Sequence, residues 1–451
     1  MGTFLVSQKT GTRLRQWIFW MFVALPMGAS ANAITLPLRT IAVDRVWSGH
    51  PVNFALVQGR GRYFIAYYDA GRRMTVSSLP FGSEQFTSRK LDSVTGWDSH
   101  NYIAMAEDAA GHLHVIGNLH NDPLVYFRTT RAGDVNSLER MPVLVDATRE
   151  QRMTYPVFIQ QRGQDLVMKY RDGGSGNGNE IYVAYDTRTR RWRSLLDTPL
   201  VDGEGRRNAY FVGPTPGPDG LFHLTWVWRD TPDAETNHDL SYARSRDLVH
   251  WQRSDGTPIK LPITLASAEI VDPVPVRGGM INNNTVIGFD HESRPVITYH
   301  KFDAHGNTQV FLARRERQGW RSVQLTQWRD FRWEFGGRGS LTSRLEVQPL
   351  TPVGRNHAAL FVVRDGKTLE LRVRARDLKL LGESPYQTRA DELATKIDLP
   401  AGMILNTVTA PQSQAMLAWP TLPRNRDQPR KETPAPTQLI LAIPANAQSA
   451  R

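Results

Sequence analysis

The chain has 451 residues, a formal charge of +11 from 55 Lys and Arg against 44 Asp and Glu, and no cysteine. The missing thiol excludes disulfides, Cys-ligated zinc and cysteine nucleophiles, so stability must come from a core, which a chain of this length can bury. The excess of arginine suits a polyanionic partner, because the guanidinium fork binds planar anions bidentately, although plain solubility charge explains the composition equally well.

In chain order, Lys9, Arg13 and Arg15 precede the apolar run 17–25 (WIFWMFVAL). Pro26 and Gly28 end that run, and Ala31-Asn32-Ala33 offers a small-residue cleavage site. This is the layout of a secretory signal, and the run falls short of the about 20 residues that span a bilayer. The expectation is a signal peptide at 1–33 and one mature domain at 34–451, periplasmic or secreted. Three basic residues leave with the signal, so the mature charge is +8. The mature chain is expected to be soluble and monomeric, with no membrane or nucleic-acid partner.

Beyond residue 34, short Val-, Ile-, Tyr-, Phe- and Trp-rich runs alternate with Gly, Asp, Asn and Pro turns, and no amphipathic helix of ordinary length interrupts them. The period-2 patterning predicts strand pairs. They are 63–68 with 74–79, 113–116 with 124–128, 166–170 with 181–185, and 221–226 with 240–244. Then come 295–299 with 309–314, 358–363 with 369–373, and 415–419 with 439–443. The fold class is all-β. A hairpin unit recurring every 50–60 residues, with charged turns running to Trp192, Trp251 and Trp320, predicts a β-propeller. Seven pairs indicate seven blades, with six or eight open, and the strand near 40–46 closes the ring against the last blade. Ser245-x-Asp247 before Trp251 resembles a degenerate Asp-box turn, a structural feature of BNR repeats. The Pro-rich charged stretch 424–437 reads as a mobile loop within the last blade.

Polar residues sit where this grammar does not ask for them. They are Ser99-His100-Asn101-Tyr102, Gly117-Asn118-Leu119-His120, Thr154-Tyr155-Pro156, Tyr170-Arg171-Asp172 with the glycine-rich run 173–179, and Asn208-Ala209-Tyr210. Pro156 is expected to hold Tyr155 extended. The glycine-rich run precedes no helix, so it reads as a tight hairpin rather than a phosphate cradle. His112 and His114 fall on one strand, where buried hydrogen-bonded histidines are the favoured reading over a metal pair.

The order SHNY, GN-x-H, TYP, YRDG-x-SGNG and NAY resembles the BNR-type β-propeller polysaccharide lyases, notably the ulvan lyases. The resemblance implies cleavage of a uronate-containing acidic polysaccharide, such as glucuronate or iduronate next to rhamnose, by β-elimination. His100, Tyr155 and Arg171 would be catalytic, and His120, Tyr210, Asn101 and Asn118 would bind substrate. Arg171 would neutralise the uronate carboxylate and bias Tyr155 towards phenolate. Tyr155 and His100 would share the base and acid roles, one Tyr sufficing for glucuronate, whose H5 and O4 share a face. No cofactor is required for this chemistry. Some relatives hold a structural metal through cysteine, which this chain lacks; His223, His238 and His300 are weak substitutes for a calcium or zinc site. Two other classes remain open: a non-catalytic carbohydrate-binding propeller, and a sialidase-like glycoside hydrolase using carboxylates such as Asp172, Glu180 and Glu204.

Overall fold

The structure, a computed structural model, describes residues 37–159, 166–175, 177–410 and 413–445. The expected signal peptide lies outside the described residues. Strands dominate, and the one α-helix among the described residues is the short segment Arg389–Ala394, closed by a Thr388–Asp391 capping box.

Among the described residues the strands form seven antiparallel sheets. Each predicted strand pair is a hydrogen-bonded hairpin in one of them. The middle strands are hidden on both faces, as in Phe222–Arg229, where every residue is buried. The outer strand Thr87–Val94 is mostly exposed and carries Arg89 and Lys90, charges that keep an open edge from pairing with another chain. The last sheet joins the two ends of the described chain. Leu38–Val46 pairs antiparallel with Thr437–Pro444, as expected of a closing strand.

Neighbouring sheets are locked by the repeated tryptophans. Trp192 of the third sheet packs edge-on against His114 of the second, and its Nε1–H donates to Tyr126 Oη at 3.1 Å. Trp251 of the fourth sheet meets Tyr182 of the third, and Trp320 of the fifth meets Tyr242 of the fourth. Ser245 and Asp247 close the turn before Trp251: Asp247 Oδ1 accepts from the backbone of Val249 and His250, and Ser245 Oγ donates to the His250 carbonyl. This turn is structural, as an Asp box should be.

The inward strands of the sheets surround a mostly apolar channel of about 270 Å³, lined among others by Leu56, Met105, Val157, Phe211, Ile287 and Val408. A second cavity of about 170 Å³ adjoins it, built from strand ends and loops. Tyr155, Tyr210 and Asn283 line both.

Candidate active site

The second cavity collects the residues that stand apart in the sequence. His100 and His120 line it with Tyr155, Ser175 and Tyr210. His100 lies in the turn at 98–101, before the strand Ile103–Glu107. His120 begins the short strand His120–Asp122, which leaves the second sheet and pairs with Met153–Ile159 of the third, Thr154 opposite His120. That crossover carries His120 to Tyr155.

The two imidazoles share one carboxylate. Asp98 Oδ1 accepts from His100 Nδ1 at 2.6 Å and from its backbone N–H at 2.8 Å, while Asp98 Oδ2 pairs with His120 Nδ1. The rings lie 4.3 Å apart and each is within 6 Å of the Tyr155 ring. Burial works against the Asp98 charge, but the bonds and charges of the two histidines outweigh it and hold the carboxyl well below the usual range. An Nδ1–H given to a carboxylate fixes the tautomer of a singly protonated ring and leaves its acceptor lone pair on Nε2. Behind this, Asp427 Oδ1 accepts from Ser99 N–H and Oγ–H at 3.0 and 2.8 Å, Asp427 Oδ2 accepts from Ser340 N–H at 2.9 Å, and the same carboxylate lies 3.5 Å from His100 Nδ1.

Tyr155 is not extended. Its φ is 54°, and the strand register slips between Thr154 and Val157. The proline does exclude the right-handed helical region at Tyr155, but a bulge meets that restriction by the left-handed route. A tyrosine at positive φ is strained and persists only where its surroundings hold it. Here Tyr102 Oη–H donates to the Pro156 carbonyl at 3.0 Å, His120 stacks on one side of the Tyr155 ring, and the Arg171 guanidinium lies 5.1 Å from its centroid.

Burial raises the Tyr155 hydroxyl above its ordinary value, and the pull of Arg171 does not offset it. The expected bias to phenolate is therefore corrected: Tyr155 carries its proton at neutral pH. Arg171 itself is buried, 4.5 Å from the Tyr210 ring, and donates Nη2–H to the Ala209 carbonyl at 3.2 Å. It lines the channel beneath the two tyrosines and not the histidine cavity. The glycine-rich run makes room for it. The run is the hairpin between Leu166–Gly174 and Asn177–Asp186, and a Cβ on Gly178 would come within 2.7 Å of Arg171 Cγ.

Two expected substrate contacts fall elsewhere. Asn118, at φ 60°, turns its side chain to Ser93 Oγ and the Val94 carbonyl, each at 3.1 Å. Asn101 belongs to the turn below His100, its carbonyl accepting from Tyr68 Oη–H at 2.7 Å, and its side chain does not line the cavity. The carboxylates considered for hydrolysis are tied down as well: Glu180 to Lys169 at 2.6 Å, Asp172 to Arg152 at 3.0 Å and Glu204 to Arg207 at 3.3 Å.

Sequence reasoning missed Asp98, Asp427, Arg229, Arg424, Glu346 and Trp333. Arg229, Arg424, Glu346 and Trp333 line the cavity. Only Asp98 had a local signal, an acid two residues before a candidate histidine. The segment 424–437, read as mobile, is pinned: Arg430 donates to the Pro423 carbonyl, Ser48 Oγ–H to the Ala435 carbonyl, and Asp427 reaches Ser99.

His223, His238 and His300 do not form a metal site. His223 bonds Tyr242 and Asp219, His238 bonds Asp239 and Asp230, and His300 is buried against Trp333. Among the described residues, Asp98, His100 and His120 are the group able to hold an ion, a donor set that suits zinc. Asp98 also orients the two rings through hydrogen bonds to each Nδ1. His112 and His114 are buried and hydrogen-bonded within their sheet, the first to the Thr129 carbonyl and the second to Tyr126 and Asp108.

Comparison with known proteins bears on the fold. No curated protein matches the chain in sequence. Among solved structures, a polysaccharide lyase described as a PL25 ulvan lyase superposes with a TM-score of 0.61 at 13% identity, over 86% of this chain and 94% of that one. The same kind of enzyme bound to -[GlcA(1-4)Rha3S]- gives 0.61 at 12% identity over the same shares. The polysaccharide lyase Uly1 gives 0.59 at 12% identity, over 91% and 99%. At such identities the likeness is one of fold, an all-β, propeller-like fold shared with polysaccharide lyases. The family model described as "BNR repeat-containing family member" matches residues 62–328, more than half of the chain. The chain belongs to the BNR repeat-containing family.

Proposed function

We propose that the chain is a polysaccharide lyase cleaving a uronate-bearing acidic polysaccharide by β-elimination, with its seven sheets as the blades of a closed propeller. The observation that carries this reading is the cavity wall on which Asp98 aligns two imidazoles beside a half-buried, protonated tyrosine. Elimination from a uronate needs a base for the C5 proton, an acid for the departing O4, and a positive partner for the carboxylate next to C5. His100 Nε2 is the base, its tautomer fixed from behind by Asp98. Tyr155 is the acid, since burial keeps its proton on. Arg171 acts from beneath by holding the Tyr155 and Tyr210 rings. His120 and Tyr210 contact the sugar.

The His100 and Tyr155 ring centroids are 5.9 Å apart, a spacing that favours approach from one side of the sugar. That suits glucuronate, in which H5 and O4 share a face, and an ulvan-like glucuronate–rhamnose polymer is the proposed substrate. A basic, exported enzyme would meet such a polymer in the periplasm or outside the cell.

The test is incubation with glucuronate-rich polysaccharides, followed by the ultraviolet absorbance of the conjugated 4,5-unsaturated uronate. Absorbance should rise with the wild-type chain. It should fall by about 10²–10⁴-fold in Tyr155→Phe, with binding retained. Reducing ends released without absorbance would mean hydrolysis, and binding without product would mean a carbohydrate-binding module.

A further inference from the structure

The cavity contains a guanidinium and a carboxyl that the steps above leave unused. Arg424 comes from the segment between the strands Met416–Thr421 and Thr437–Pro444, far from the histidines in sequence. It lines the cavity with His100, His120 and Tyr155, and its charge is felt at the Tyr155 hydroxyl. Among the described residues its hydrogen bond is a long one, Nη1 to the Leu341 carbonyl at 3.4 Å. Arg171, by contrast, is covered by two tyrosine rings and lines the channel below.

Glu346 stands on the strand Leu345–Val347, 8% exposed, and lines the same cavity. Ser343, also in the cavity lining, acts on this carboxyl, but among the described residues Glu346 Oε2 has no hydrogen-bond partner. A buried polar oxygen without a partner costs about 1–3 kcal/mol, so the arrangement is better suited to the complex than to the free protein. The two groups feel each other's charge, yet among the described residues they make no ion pair. Burial pushes the Glu346 carboxyl up to about 8 against the pull of Arg424. At neutral pH it carries a proton it can donate, and it leaves the Arg424 charge uncancelled.

We propose that Arg424 and Glu346 form the carboxylate-reading subsite of this cavity, the guanidinium taking the uronate carboxylate and the Glu346 carboxyl completing its hydrogen bonds. The proposal rests on the uronan-lyase reading and names the charge neutralisation that reading requires. It transfers that role from Arg171, under the tyrosines, to an arginine that faces the substrate. A carboxylate held by a guanidinium and a neutral acid no longer resists the negative charge developing at C5.

The test compares a glucuronate polysaccharide with its methyl-esterified form, on which no carboxylate needs neutralising. With Arg424→Gln, kcat/KM on the free acid should fall by about 10²-fold, while the ester is far less affected. Arg424→Lys, which keeps the charge without the fork, should lie between, and Glu346→Ala should lose the acid preferentially as well. Equal loss on both substrates would assign Arg424 a merely structural role and overturn the proposal. Should the wild type form no unsaturated product, the lyase reading fails, and calorimetry still decides the subsite. Glucuronate oligosaccharide bound by wild type but not by Arg424→Gln upholds it, and equal binding overturns it.

Discussion

The stretch from Trp97 to Arg128 holds two pairs of histidines with opposite fates. His112 and His114 lie inside the second sheet. His114 is fully buried, its Nδ1 on Tyr126 Oη at 2.7 Å and its Nε2 on Asp108 Oδ2 at 3.3 Å. His100 and His120 sit where the strand ends give way to loops, with side chains 14% and 23% exposed, both oriented by Asp98 at the edge of a cavity. Each pair has an acidic partner, but only the second pair faces a space that a substrate can fill. A buried imidazole bonded at both nitrogens supports the core, whereas one bonded at Nδ1 and facing a cleft is poised to move a proton.

The sharpest way to break this comparison is to treat the two acids alike. Asp98→Asn should lower kcat by about 10²–10⁴-fold with a modest change in Tm, since it releases both cleft rings from their tautomer. Asp108→Asn should lower Tm and leave kcat near wild type. If both variants lost activity in proportion to stability, the two pairs would not differ in kind.

Below the cleft, charge serves the fold. Lys169 and Glu180 form a buried pair at 2.6 Å in the channel wall. Lys169→Met should cost about 3–5 kcal/mol in denaturant unfolding, because it strands a buried carboxylate. Little loss would mean that water reaches the channel.

The pH dependence of stability sharpens the contrast further. Burial lowers His50 and His300 from 6.5 to about 4. Both stay neutral in the fold while the unfolded chain takes up protons first. Stability is thus fully present above 6.5 and is lost as pH falls towards about 4. Tm measured against pH should drop across that window, and less steeply in His300→Asn. The smallest effect is expected at Asn118, whose side chain ties a turn to the first sheet: Asn118→Ala should cost about 1 kcal/mol and leave KM unchanged.

The hairpins were legible in the sequence because alternation is local, and the tryptophans were legible because they recur. The closing strand at 40–46 could be anticipated for the same reason. The site was legible only as far as its residues were unusual in their own surroundings, which brought out His100, His120, Tyr155 and Arg171. The partners that decide their chemistry left no such trace. Asp427 meets Ser99 across 328 positions, and Arg424 sits in a Pro-rich stretch with the composition of a loop. The positive φ of Tyr155 comes from a bulge that depends on its neighbour strands, and its protonation reflects burial outweighing Arg171. Both are properties of the packed molecule.

The most direct measurement is the mass of the oligosaccharides released from a glucuronate-rich polysaccharide by the wild-type chain. Elimination predicts fragments that have taken up no water, one of each pair ending in an unsaturated uronate. Fragment pairs that together have gained one water per cut, with saturated ends, would contradict the account.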